Sequence, residues 1–279
     1  MIAQLLQTPT TANRRGGLRE YISPSRLNLW LKCPLAFKLR YVDRVQTPTS
    51  ASLFLGKIVH AGLEILYRHR QLGVLLSLED VVQRMHAGWD ESVEQEAMLF
   101  ESAIQEDAMK KQAADLIAVY LARTGDDDEI LLNVETTLQE PLIDPFSGED
   151  LGIPLLGVLD LILDEHDGPV ICDFKTAAKS SAPFEVTHEI QLSCYSYLFR
   201  RASGREEGGL EIRSLIKTKK PKLDFHRYEP RSQQHFRRLF AAIRAYLDEL
   251  DSGRFIFRPG MGCNMCEYRD DYCGRWNGD

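Results

Sequence analysis

Apolar residues change their spacing twice along this chain, and the changes divide it into three regions. From Ser23 to Thr124 they return every three or four positions, the period of a helix with one buried face. In SPSRLNLWLKCPLAFKLRYV, Ser23 is a candidate N-cap and Pro24 occupies the first helical position. Leu27, Trp30, Leu31 and Leu35 follow at helical spacing. Pro34 interrupts the series and predicts a bend. LFLGKIVHAGLEILYRHR predicts a second helix, and residues 78–124, rich in Glu, Asp and Ala, predict one or two more. After them the spacing shortens. ILLNVETTLQE, IPLLGVLDLILDE and GPVICDFKTA are apolar and β-branched, separated by DPFSGED and DEHDG, and predict an antiparallel meander. THEIQLSCYSYLFRRAS returns to the helical period. GLEIRSLIKT and KLDFHRYEP predict two further strands, residues 231–252 a long helix, and a cysteine-rich tail follows. The order of helices, sheet with an intervening helix, and tail predicts a mixed α/β (α+β) protein.

Composition narrows the class. The chain has 279 residues, enough for one large domain with a sizeable core. No stretch reaches the ~18–20 apolar residues of a membrane span. The first residues lack the charged-then-apolar pattern of a secretion signal and read as a loose tail. A cytoplasmic protein with no membrane partner is expected. Six cysteines are too few for a disulfide scaffold, so those that cluster are candidate metal ligands. Cys172 and Cys194 lie in apolar runs and read as small buried hydrophobes. The net charge of −7 excludes a protein that coats nucleic acid indiscriminately, but the charge is uneven. Acidic residues crowd positions 90–130, and basic ones gather at Arg14–Arg44 and Arg213–Arg227. In the second basic stretch, Lys217, Lys219 and Lys220 are candidate contacts to a phosphate backbone; a solvated loop is the competing reading.

The sharpest chemical signal lies in the predicted hairpin. GVLD ends in Asp160, and CDFK holds Asp173 and Lys175 two positions apart, hence on one face of a strand. A turn centred on Asp167–Gly168 pairs His166 with Pro169 and, further along, Asp160 with Lys175, leaving Asp173 beside them. Carboxylates of this kind hold Mg2+ or Mn2+, and an ammonium beside them can stabilise charge building on phosphorus. D-x-K by itself is equally an ordinary cross-strand ion pair.

The surrounding motifs resemble a known family. GVLD followed by D-F-K is similar to the PD-(D/E)XK nuclease superfamily. Gly56-Lys-Ile-Val-His60 upstream and Gln191-Leu-Ser-Cys-Tyr195 downstream resemble the G-x-x-x-H and Q-x-x-x-Y helix motifs of its RecB-type branch, which includes CRISPR-adaptation exonucleases. The resemblance implies a restriction-endonuclease-like mixed sheet flanked by helices. It implies that Asp160, Asp173, the Phe174 carbonyl and His60 bind the metal, with Glu135 as a further acidic ligand. Lys175 would be the catalytic lysine, and Gln191 and Tyr195 would support it or contact DNA. Asp173 stands where relatives often carry Glu. Residues 1–20 then form a tail and 21–279 a single nuclease domain, with a helical insertion over roughly 75–128 and a cluster tail at 260–276.

Cysteines at C-x2-C-x6-C spacing close the chain, and Cys33 is the remaining one at a polar helix edge. In iron–sulfur members of this branch, one N-terminal cysteine joins three C-terminal ones around a 4Fe–4S cluster, a layout that Cys33, Cys263, Cys266 and Cys273 match. Four thiolates suit zinc as well. The expected activity is a metal-dependent DNA nuclease, an exonuclease on single strands or ends, in recombination, repair or CRISPR adaptation. An iron–sulfur DNA-binding subunit with little activity of its own is the alternative, and a zinc-ribbon structural protein with an incidental acidic hairpin is a third. The chain has no phosphate-loop motif, so a motor would come from a helicase partner; CRISPR-adaptation proteins are the other candidates.

Overall fold

Residues 17–124, 129–180 and 185–275 are described by a computed structural model of the chain. The expected N-terminal tail lies mostly outside the described residues. The helices α1 (Pro24–Lys32) and α2 (Pro34–Phe37) meet at Cys33, whose extended backbone marks the bend expected at Pro34. Ser23 Oγ accepts the Arg26 N–H, the cap its position foretold. A π-type turn over Lys38–Val42 leads to α3 (Ala51–Gln71). The acidic region forms three helices rather than one or two: α4 (Leu78–Ala87), α5 (Trp89–Gln95) and α6 (Ala103–Thr124). Gly88 ends α4 and separates it from α5.

The sheet follows as β1 (Ile130–Ile143), β2 (Asp150–Glu165), β3 (Gly168–Ala177), β4 (Gly209–Ile216) and β5 (Lys222–Tyr228), side by side in chain order. The first three strands form the expected antiparallel meander. Helix α7 (Glu185–Ser203) then carries the chain over the sheet, so β4 lies parallel to β3, and β5 returns antiparallel. The last helix is α8 (Gln233–Ser252). One core joins α1, α7 and α8 to the sheet; the other joins it to α3, α4 and α6. The result is a mixed five-stranded sheet covered by helices, the restriction-endonuclease-like architecture.

The hairpin register differs from the expected one. The ladder runs from Glu165↔Gly168 to Leu161↔Cys172, and its next step sets Asp160 against Asp173, not Lys175. The loop is His166–Asp167, with Gly168 as the first residue of β3 rather than the second residue of the turn. Gly168 has a positive φ of 114°, and a Cβ there would meet the Gly208 backbone at 3.4 Å. The segment at Gly208, whose N–H bonds Pro169 O at 2.8 Å, runs beside this start of β3, a contact that a local turn rule does not see. The shift is two residues, so Asp160, Asp173 and Lys175 keep a common face.

Candidate active site

Five elements converge on the site. Mid-way along β2, Asp160 is buried, and its Oδ2 accepts the Phe174 N–H at 2.7 Å. On β3, Phe174 points away into the second core, with its ring stacked on Tyr67 and met edge-on by Tyr120 and His60. That anchorage sends its neighbours Asp173 and Lys175 to the opposite face. Asp173 is buried; its Oδ1 accepts from Gln191 Nε2 at 2.8 Å and its Oδ2 pairs with the Lys175 ammonium. Gln191 also donates to the Tyr195 hydroxyl at 2.8 Å, one turn along α7. The glutamine motif therefore supports Asp173 directly, rather than the lysine.

From α3, His60 places Nδ1 3.7 Å from Asp160 Oδ2. Glu135 on β1 completes the group: ligand atoms of His60, Glu135 and Asp160 lie within 4.8 Å of one another. Glu135 has a left-handed backbone (φ 45°), rare for a non-glycine residue, and lies between the β1 positions paired with Leu161 and Leu159. Such a conformation within a strand is tolerated where the surroundings over-determine it, and it marks Glu135 as a site residue.

The electrostatics suit a cation. Desolvation raises the Asp160 carboxyl well above its ordinary range, and the charges of Asp173 and Glu135 push it further; Lys175 and the Phe174 N–H oppose the rise. Burial lowers the pKa of His60, which keeps a neutral nitrogen lone pair available. Tyr195 is raised by burial and by Asp173 and Asp160, so its hydroxyl stays protonated. Clustered carboxylates that repel one another, beside a neutral imidazole, are a donor set for Mg2+ or Mn2+. Asp173 stands beside the tight group, held by Gln191 and Lys175.

These residues line a cleft of about 1170 Å³ whose walls include α1, α3 and the strands β1 to β3. Gly157, from the GVLD run, lies in the same cleft. A Cβ on it would meet Leu198 Cδ1 of α7 at 2.6 Å, so the glycine lets α7 lie close on the sheet.

Not every expected residue joins the site. Lys219 and Lys220 are exposed in the turn between β4 and β5, and neither lines the cleft. Lys217 is partly buried there and bonds Ser52 Oγ at 2.5 Å. The basic stretch around them is also less available than its composition implied. Arg213 is buried among Glu129, Glu211, Tyr67 and Tyr120, and Arg227 pairs with Glu165. Cys172 and Cys194 are buried as expected.

A second cavity, of about 650 Å³, is lined by Cys33, Cys263, Cys266 and Cys273. The Cys273 thiol is raised first by burial and then by the other three sulfurs. Residues 35–47 and 256–267 meet here. Leu35 N–H bonds Ile256 O at 3.1 Å, and Thr47 Oγ1 bonds Glu267 at 2.6 Å, with Arg40 on the same carboxylate. Met261 and Met265 are 94 % and 90 % exposed, whereas Tyr268 is only 2 % exposed and packs on Leu35, Ala36 and Leu39. Trp276 lies outside the described residues. Tyr268 was overlooked because EYRDDY reads as polar, and its apolar partners sit at the far end of the sequence.

Comparison with known proteins agrees with this architecture. The sequence matches the PD-(D/E)XK nuclease superfamily over residues 21–274, and the chain belongs to that superfamily. A solved structure from Eubacterium rectale, described as a putative exonuclease, is similar with a TM-score of 0.61 at 14 % identity, covering 94 % of this chain and 93 % of that one. The likeness is one of fold. A second structure, SSO0001, aligns with a TM-score of 0.38 at 14 % identity over 79 % of this chain and 96 % of that one. No curated protein matches the sequence. Among the described residues no helix is long and apolar enough to cross a membrane.

Proposed function

We propose that this nuclease cuts DNA with a divalent metal held by His60, Glu135 and Asp160, with Asp173 beside them. The reading rests chiefly on that donor group lying in an open cleft next to the Lys175 ammonium. A bound Mg2+ or Mn2+ would polarise the phosphoryl oxygen and lower the pKa of a coordinated water. Lys175 offsets negative charge as it builds on phosphorus. Asp173 holds that ammonium in place, and Gln191 and Tyr195 hold Asp173. The Phe174 N–H fixes the Asp160 carboxylate.

The G-x-x-x-H and Q-x-x-x-Y residues support membership in the RecB-type branch, because both motifs bring side chains to this site. Exonuclease action on single strands or ends follows from that branch and from the description of the Eubacterium rectale protein. A helicase or CRISPR-adaptation proteins are the partners such a nuclease would take. The four cysteines around one cavity support a 4Fe–4S cluster. A zinc ion about 2.3 Å from each sulfur needs them about 3.8 Å apart. Iron and sulfide analysis against zinc content separates the two. The domain bounds follow from the same reading: one nuclease domain from residue 21, an inserted helical arm, and a tail tied back by the cluster.

The test uses purified protein with Mg2+ or Mn2+ on end-labelled linear strands and on closed single-stranded circles. Metal-dependent degradation of linear DNA with intact circles is expected. Asp160→Ala and Asp173→Ala should each abolish it while folding is retained. A folded wild-type protein that binds DNA but never cuts would leave the DNA-binding subunit as the better reading.

A further inference from the structure

The cleft holds few cations for a site that must accept a polyanion. Its charged lining is Arg26, Lys57 and Lys175 against Glu64, Glu96, Glu135 and Asp160. Arg26 is buried, donates to the Tyr21 carbonyl at 2.7 Å and lies over the Tyr21 ring. Lys175 is committed to Asp173. That leaves Lys57. It projects from α3 three residues before His60, on the same helical face, with a side chain 47 % exposed.

Lys57 is currently paired with Glu96, which also accepts from Thr49 Oγ1 at 3.4 Å. Glu96 comes from the helical arm, and its position there is set by the backbone. The Met98 N–H bonds Val93 O at 3.0 Å and the Ala97 N–H bonds Glu94 O at 3.1 Å, the paired bonds of a Schellman ending to α5. Ala97 takes the left-handed conformation (φ 47°) usual for glycine, and buried Met98 anchors the turn. Glu96 is therefore presented to the cleft by a defined turn. It lies on a wall shared with other carboxylates, where Lys57 is the cation that draws it.

Building on the nuclease reading, we propose that Lys57 holds a backbone phosphate of the DNA strand, and that Glu96 occupies Lys57 until the strand displaces it. A phosphodiester offers the ammonium the same anionic oxygens as the carboxylate, so one ion pair is exchanged for another. Glu96 is then an internal competitor that weakens binding of any strand that engages Lys57.

The experiment measures affinity for a fluorescent single-stranded oligonucleotide by anisotropy, with Ca2+ in place of Mg2+. Five proteins are compared: wild type, Glu96→Gln, Lys57→Met, Lys57→Arg and the Glu96→Gln/Lys57→Met double variant. Loss of an exposed pairing competitor should tighten binding about two- to five-fold in Glu96→Gln. Lys57→Met should bind more weakly, with a salt dependence shallower by about 0.7 in log–log slope. In the Lys57→Met background, Glu96→Gln should give no gain. Lys57→Arg should retain affinity, which separates lost charge from lost folding. Equal gains from Glu96→Gln in both backgrounds would overturn the proposal in favour of long-range repulsion. Lower thermal stability with unchanged affinity would make the pair a clamp for the arm. Cleavage with Mg2+ is scored separately: a protein that cuts DNA but whose affinity ignores both residues overturns this proposal alone. One that neither binds nor cuts overturns the nuclease reading with it.

Discussion

Lys175 and Asp160 carry opposite problems at the scale of single residues. The ammonium of Lys175 is partly exposed and leans on a buried carboxylate, so its charge is oriented before any substrate arrives. Such a group serves the transition state more than the ground state. Lys175→Met should thus lower the cleavage rate by about 10²-fold or more, the scale of losing an electrostatic donor, while DNA affinity falls little. Single-turnover kinetics at saturating protein measure this, and an unchanged rate with weakened affinity would make Lys175 a binding residue instead. Asp160 is held near other carboxylates and away from water, which raises its folded pKa above the unfolded value of about 3.9. With a raised pKa, the folded state binds the extra proton. Its stabilising share is full at acid pH and is lost as pH rises through the folded value. Metal-free wild type should therefore lose thermal stability relative to Asp160→Asn as pH rises from the acid range, and added Mg2+ should remove the difference; parallel melting curves in chelator would contradict it.

At the scale of elements, the site depends on how closely α7 approaches β2. Gln191 and Tyr195 reach the carboxylates because α7 lies close on the sheet, and Gly157 leaves the room for Leu198. Leu198 is fully buried and has no free direction to move. Gly157→Ala should cost about 1–3 kcal/mol of stability through overpacking. Urea unfolding measures the loss, and shortening Leu198 to alanine in the same protein should recover part of what the added methyl costs. The element level also shows where local reasoning sufficed. The α3 face carrying Gly56 and His60, the Gln191–Tyr195 turn of α7 and the common face of Asp173 and Lys175 all follow from helix and strand periods. The hairpin register did not, because it depends on where β3 begins, and there Gly168 takes a positive φ beside a segment that arrives across a helix-long crossover.

At the scale of the whole molecule, the first helices and the last residues form one structure. Cys33 lies 230 positions before Cys263, yet both line a single cavity. If a cluster bridges them, its binding free energy adds to that of folding. Cys33→Ser and Cys263→Ser should lose the same iron and the same visible absorbance, and should lower the melting temperature together. Cys172→Ser and Cys194→Ser, buried elsewhere, should keep full iron. The tail should stay docked in part in every variant, because Tyr268, Glu267 and the Leu35–Ile256 bond hold it independently of any metal. Iron and sulfide analysis after anaerobic purification checks this, and full iron in Cys33→Ser would break the link between the two ends.

The sequence alone determined the element types and their order, the shared face of the hairpin carboxylate and lysine, and the chemical kinds of ligand present. These depend on periodicity, which is local: a strand alternates every two residues and a helix returns every 3.6 whatever surrounds them. Only the tertiary structure decided that Glu135 joins His60 and Asp160, that Gln191 braces Asp173, that Arg213 is spent inside the core, and that Tyr268 anchors the tail. Each of those pairings joins residues on separate elements. Spacing along the chain carries no information about such distances, because they are fixed by how helices pack on the two faces of one sheet.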